Sequence, residues 1–209
     1  MDSFFSHLNC KNNGIVFIVV LLAKGSGAKV QTNKLNHVFS AANSESSPDI
    51  QISDHHVIQS KFKASTIFGD VRIVHPSSKS YCNHASVIPF HAANKAFASK
   101  QQKFSYNMSF CQPNATFIPL ILESYGAIHP KFREFLAALV PELAIKMEMD
   151  PSVLFGYFLK KISVSLARST ASTIISARDK IYFRNPSFRQ DGYPNAESFR
   201  SDVQLDAAF

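Results

Sequence analysis

Two short stretches in the first half of the chain alternate between polar and apolar residues. The first covers 48–53 (PDIQIS) and the second covers 67–74 (IFGDVRIV). Because successive side chains of a strand point to opposite faces, each stretch predicts a strand with one apolar and one polar face. If the two strands pair with their apolar faces aligned, Asp49 and Asp70 lie on the same polar face. Two neighbouring carboxylates repel each other unless positive charge lies between them, and a divalent metal ion is the usual solution.

Helical spacing follows these strands, and it predicts a helix over 87–104 with Pro89 in its first turn. The apolar stripe of this helix consists of Phe90, Ala93, Phe97 and Phe104. Lys100 lies at the edge of the stripe, whereas Lys103 lies further round the helix. We therefore expect Lys100 to approach Asp70 more closely than Lys103 does. The alternative is an ordinary solvated helix face on which the lysines provide solubility.

The second half of the chain adds one strand and two helices. The apolar run at 116–122 (TFIPLIL) predicts a central strand, and Glu123 at its end is either functional or marks the exit of the strand to water. A helix is predicted over 131–140, and a longer one is predicted to start at Asp150-Pro151, with apolar residues at helical spacing from Phe155 to Leu166. Strands that alternate with helices predict an α/β fold, with a small mixed sheet flanked by helices.

Three connecting segments have weaker patterns. We predict a short helix over 33–42, a turn at 54–56, and a loop or ragged strand over 60–65.

The two ends of the chain differ from its middle. Nine apolar residues at 15–23 (IVFIVVLLA) would span only about 14 Å as a helix, against about 30 Å for a bilayer core, so no stable membrane span is expected. The run is either a buried strand or the apolar region of a signal peptide. From residue 183 onward periodicity is lost, which predicts a disordered tail. We therefore divide the chain into an N-terminal extension at 1–32, a domain at 33–182 and a tail at 183–209.

Composition supports a globular protein with a basic surplus. Of 209 residues, 45% are apolar and 18% charged, and the 22 lysines and arginines exceed the 15 acids by seven. These proportions exclude a wholly disordered chain, and the net charge of +7 fits a polyanionic partner. The three cysteines are widely spaced without a CxxC pair, which argues against a structural zinc site.

Several motifs in order carry a family resemblance. They are Pro48-Asp49, then DVRIVHP starting at Asp70, the helix AANKAFASKQQKFSY, the strand FIPLILESYG and finally SVSLARSTASTIIS. In this order they resemble the restriction-endonuclease-like domain, of the PD-(D/E)XK superfamily, that follows the reverse transcriptase in certain non-LTR retrotransposon proteins. The resemblance covers roughly residues 44–178.

The resemblance implies a role for each of five residues. Asp49 would be the acid of the PD pair, Asp70 the second acid and Glu123 a possible further acid. Lys100 and Lys103 match the K-x-x-K that precedes an aromatic residue in the family. Asp49 and Asp70 would hold Mg²⁺ or Mn²⁺, and Lys100 would contact the attacking water or the scissile phosphate. The implied partner is DNA, in the nucleus or the cytoplasm.

Two departures from the family pattern keep alternatives open. The two acids are 21 positions apart, a long interval, and Arg72 stands where the wider superfamily often has a lysine. Arginine cannot act as a general base, although it can stabilise phosphate charge. The chain is therefore either a metal-dependent endonuclease-like domain of retroelement origin or a non-catalytic nucleic-acid-binding remnant of that fold. A small secreted glycoprotein is a third possibility, from the apolar run and the acceptor motifs at Asn107 and Asn114.

Overall fold

The computed structural model describes residues 13–32, 48–108 and 114–184. Its elements in chain order are α1 (Asn13–Ser26), β1 (Lys29–Thr32), β2 (Ile50–Ser53), α2 (His56–Phe62), β3 (Thr66–Val74), α3 (Cys82–Ala85), α4 (His91–Met108), β4 (Ala115–Glu123), α5 (Pro130–Lys146) and α6 (Pro151–Arg184). The chain divides into two units, 1–170 and 171–209. The first unit contains the sheet, and the described part of the second, 171–184, is helical.

The strands form one mixed sheet in the order β1-β2-β3-β4. β2 pairs antiparallel with both β1 and β3, whereas β3 and β4 are parallel. A parallel pair needs a crossover connection, and α3 and α4 provide it. The prediction of an α/β fold with a small mixed sheet flanked by helices is confirmed.

The apolar side chains of β2 and β3 lie on one face, as their alternation predicts. Ile50 is opposite Gly69 and Ile52 is opposite Ile67, and all three isoleucines are buried. This face packs with α1 and α5 into the main core. The polar face of the same strands is therefore left for α4 and the candidate site.

The apolar run at 15–23 is a helix, so the prediction of a buried strand is wrong. Ile15, Val19 and Leu22 follow helical spacing and are buried in the main core. Helical packing against α5 outweighs the strand preference of the isoleucines and valines, because propensity is weaker than tertiary burial. The segment predicted as an N-terminal extension thus supplies α1 to the core and β1 to the sheet. Within the described residues, no helix is long and apolar enough to span a membrane.

The helix predicted over 87–104 begins later than its pattern indicates. α4 starts at His91, after Phe90 adopts a left-handed backbone conformation with φ of 58°. Phe90 is 37% exposed and leaves the apolar stripe, whereas Ala93 and Phe104 are buried as predicted. The interpretation of Pro89 as a first-turn residue is wrong, because the turn at 86–90 precedes the helix.

The segment after β2 is more ordered than its sequence indicates. Asp54 has a φ of 54°, which makes the predicted turn, and α2 follows from His56. The predicted loop or ragged strand at 60–65 is wrong up to Phe62, because α2 buries Ile58 against the core. Lys63, with φ of 50°, then ends the helix.

The predicted elements of the second half are present and longer than expected. The strand at 116–122 is β4, and the two helices are α5 and α6. The helix predicted at 33–42 lies outside the described residues, as do residues 185–209 of the predicted tail. Residues 183–184 belong to α6.

Candidate active site between the sheet and helix α4

The polar face of β2 and β3 brings the two predicted acids together. Ile50 pairs with Gly69, so extending the antiparallel register by one residue places Asp49 opposite Asp70. Asp49 immediately precedes β2, and its backbone N–H donates to the carbonyl of Gly69 in β3 at 2.9 Å, so it is still bonded to the neighbouring strand. Asp49 thus lies beside Asp70, and the charges of Asp70 and Lys100 both act on its carboxyl group, as expected if the two acids share a face.

Helix α4 brings Lys100 to this face. Its ammonium Nζ lies 2.6 Å from Oδ2 of Asp70, and the two side chains are only 20% and 11% exposed. This contact is a charge-assisted ion pair in a site that is largely shielded from water. The ammonium also lies 5.6 Å from the centroid of the Phe104 ring, which adds a cation–π contact. Lys103 is exposed, and the prediction that Lys100 is the closer lysine is confirmed.

Asp49 is held in place by the backbone of β3. Its Oδ2 accepts a hydrogen bond from the N–H of Val71 at 2.8 Å. Burial raises the pKa of Asp49 to about 6, the Val71 hydrogen bond opposes this rise, and the charges of Asp70 and Lys100 add smaller opposing effects. A carboxyl group of this kind changes protonation just below neutral pH. The role of the Val71 amide was not predicted, because it depends on the exact pairing of β2 with β3.

The shifted pKa of Asp49 predicts a pH-dependent gain in stability from Asp49→Asn. Between about pH 4 and pH 6 the folded state keeps the Asp49 proton while the unfolded state releases it, so the free energy of unfolding falls as pH rises. Above about pH 6 the folded state carries the full free-energy cost of a buried, ionised Asp49. Asn keeps an acceptor for Val71 without the charge, so we expect it to be of order 2 kcal/mol more stable than wild type at about pH 7 and nearly equal at about pH 4.

Urea unfolding of both proteins across this pH range measures the difference directly. Titrating groups that do not interact with Asp49 contribute equally to the two curves and cancel in the difference. Glu134→Gln, at an exposed acid of α5, is the matched control and should show no such change. A stability difference that is the same at both pH values would contradict the buried, proton-binding Asp49.

Glu123 lies apart from the acid pair. It is opposite Val74 in the parallel register, four residues along from the position opposite Asp70, which is about 13 Å along the sheet. Its buried Oε1 accepts the backbone N–H of Ala93 at 3.1 Å, in the first turn of α4. A carboxylate there satisfies a free amide of the helix and interacts favourably with its dipole. The structure therefore gives Glu123 a capping contact and does not bring it to Asp49 and Asp70.

Arg72 lies on the same face of β3 as Asp70, two residues further along the strand. Its side chain is half-buried. Its guanidinium forms no ion pair within the part of the chain that the structure describes, so its charge remains available to a phosphate.

The carboxylates of Asp49 and Asp70 suit a hard divalent cation that keeps several of its waters. Two adjacent carboxylates are a usual protein contribution to a Mg²⁺ site, and Asp70 is buried with its Oδ2 in contact with the Lys100 ammonium alone among the ion pairs of the described residues. Among residues 13–32, 48–108 and 114–184, no group of three or more His, Cys, Asp or Glu side chains converges on one point. Any ion at Asp49 and Asp70 would thus need water or substrate oxygens as further ligands.

Comparison with known proteins does not assign a family or an activity to the chain. No family model, no curated protein and no solved structure matches the chain.

Proposed function

We propose that the chain is a metal-dependent DNA endonuclease-like domain of retroelement origin, with a core of the PD-(D/E)XK type. The observation that carries this proposal is the ion pair of 2.6 Å between Lys100 and Asp70, with Asp49 opposite Asp70 on the adjacent strand. Two acids and one cation in a nearly buried cluster are the groups that phosphodiester hydrolysis requires.

Each side chain has a role in this proposal. Asp49 and Asp70 would hold Mg²⁺ or Mn²⁺, which when bound neutralises charge on the scissile phosphate. Lys100 would orient the attacking water or a phosphate oxygen, because its ammonium is held 2.6 Å from Oδ2 of Asp70. Asp49, with its pKa of about 6, would be ionised at neutral pH and so ready to accept a cation. Arg72 would add a second positive charge for the phosphate.

A non-catalytic remnant of the same fold is the second candidate. It is favoured by the Asp70–Lys100 contact, in which the lysine already neutralises the acid that would otherwise attract a metal. Arg72 in place of a lysine points in the same direction, because arginine cannot serve as a general base. Such a remnant would bind DNA without cutting it.

Plasmid nicking tests the proposal. Wild-type protein with Mg²⁺ or Mn²⁺ should convert supercoiled plasmid to the open circular form. Asp70→Asn should be slower by about a hundredfold or more, because losing a metal ligand removes several kcal/mol of transition-state stabilisation. Glu134→Gln makes the same change in net charge on α5, where the acid contacts only Lys131 among the described ion pairs, and controls for charge away from the site. Nicking at equal rates in wild type and Asp70→Asn would remove Asp70 from the site, and binding without nicking would favour the remnant.

A further inference from the structure

The connection from β3 to β4 is free of acidic residues. Residues 71–122 contain no aspartate and no glutamate, and they carry +5 of the total formal charge of +7. The cations are Arg72, Lys79, Lys95, Lys100 and Lys103. Since α4 belongs to this connection, positive charge is concentrated on the element that covers the acid pair.

The solvent side of α4 is polar and cationic. Its exposed side chains are those of Asn94, Lys95, Ala98, Ser99, Gln102 and Lys103. Lys79, before α3, is exposed as well. Within the described ranges, none of the three exposed lysines forms an ion pair with a carboxylate, and Lys95 lies 5.7 Å from the centroid of the Tyr81 ring. We call this surface, defined by Lys79, Lys95 and Lys103, the crossover face.

We infer that the crossover face binds the phosphate backbone of DNA beside the candidate active site. The inference rests on the proposed function for the identity of the polyanion, whereas the surface is assigned from charge and exposure. Lys95 and Lys103 are eight residues apart, or about 12 Å along α4, a span over which one DNA strand presents three to four phosphates. Hydroxyl and amide side chains between them, Ser99 and Gln102, are donors that phosphate oxygens accept.

The position of the crossover face links it to the acid pair. Lys103 is one helical turn beyond Lys100, whose ammonium contacts Asp70. A strand held along Lys95 and Lys103 would therefore follow the helix that supplies the cation of the candidate site.

A second basic surface and a second kind of partner are the alternatives to this inference. Lys160, Lys161 and Arg168 are also exposed, on α6, and form a second basic group that supplies no residue to the acid pair. An anionic membrane is the rival partner, because the turn at 87–90 is apolar and exposed. A helix that lies in a membrane surface needs an apolar outer face, and the exposed side of α4 is polar. DNA is thus the better fit.

The test measures DNA binding in EDTA, so that cleavage does not contribute. The full chain is titrated against a 20-base-pair duplex at several salt concentrations, for wild type, for Lys79→Gln/Lys95→Gln/Lys103→Gln, and for the matched variant Lys160→Gln/Lys161→Gln/Arg168→Gln. Each lost phosphate contact should lower the salt slope by about 0.9. The crossover variant loses three contacts, so its affinity should depend less on salt. Between 50 and 200 mM salt, the affinity of the wild type should therefore fall about 40-fold more than that of the crossover variant.

The salt slopes of the variants decide whether the crossover face binds DNA. A reduced slope in the crossover variant, with wild-type behaviour in the α6 variant and in Lys79→Arg/Lys95→Arg/Lys103→Arg, supports it. An unchanged slope in the crossover variant overturns it, as does an equal or larger loss in the α6 variant. Tighter binding to phosphatidylserine vesicles than to the duplex overturns it in favour of a membrane. Failure of the nuclease proposal is distinct, because it appears as binding without metal-dependent nicking.

Discussion

Lys100→Met should both destabilise the protein and abolish any cleavage. The side chains of Lys100 and Asp70 are largely buried and lie 2.6 Å apart. Removing the ammonium leaves a carboxylate in a site with little water, and breaking a buried pair in this way costs about 3 kcal/mol or more. Urea unfolding at neutral pH measures the loss. Lys103→Met, at an exposed lysine one turn further along the same helix, should change stability by less than about 0.5 kcal/mol.

A second substitution tests whether the loss of stability comes from the ion pair itself. Asp70→Asn in the Lys100→Met background removes the charge that was left unpaired, so the double variant should recover much of the lost stability. A double-mutant cycle over the two positions should therefore give a coupling of about 1–3 kcal/mol. If the two single losses simply add, the ion pair is not the reason for the destabilisation.

The catalytic part of the prediction uses Lys100→Arg, with Mn²⁺ binding to Lys100→Met as a second measurement. Lys100→Arg keeps the positive charge beside Asp70 and should preserve the fold, yet the guanidinium cannot place a single point charge in the same position. Lys100→Arg should therefore slow nicking by about a hundredfold to a thousandfold, because the charge is retained but misplaced. Binding of Mn²⁺ to Lys100→Met, measured by calorimetry, should be retained, because an ammonium is not a metal ligand and its removal leaves both carboxylates free. Loss of Mn²⁺ binding in this variant would contradict the division of roles.

The acid pair and its lysine could be predicted because each depends on a short, regular pattern. Alternation in two strands is enough to place Asp49 and Asp70 on one face, and helical spacing is enough to direct Lys100 rather than Lys103 toward the sheet. Neither conclusion requires knowing how distant elements pack. The proximity of Lys100 to Asp70 is thus a feature that local periodicity determines.

Other features depend on long-range geometry that the sequence does not express locally. Glu123 caps α4 because the parallel register carries it four residues past Asp70 and because the helix begins at His91 rather than at Val87. The late start follows from the left-handed Phe90, for which no glycine or asparagine gives a signal. In the same way, the valines and isoleucines of α1 indicate a strand until the helix has a partner in α5.

The placement of α1 in the core leads to a large expected effect at a single residue. Leu22→Ala should lower the free energy of unfolding by about 3–5 kcal/mol, because Leu22 is fully buried and its truncation leaves a cavity among core side chains. Its neighbour Leu21 is 49% exposed on the other side of the same helix, so Leu21→Ala is a matched control with the same atoms removed. Denaturant unfolding of the two variants should differ by at least about 2 kcal/mol. Equal, small losses of stability in the two variants would mean that α1 does not contribute to the folded core. The apolar run would then be better explained as a signal peptide.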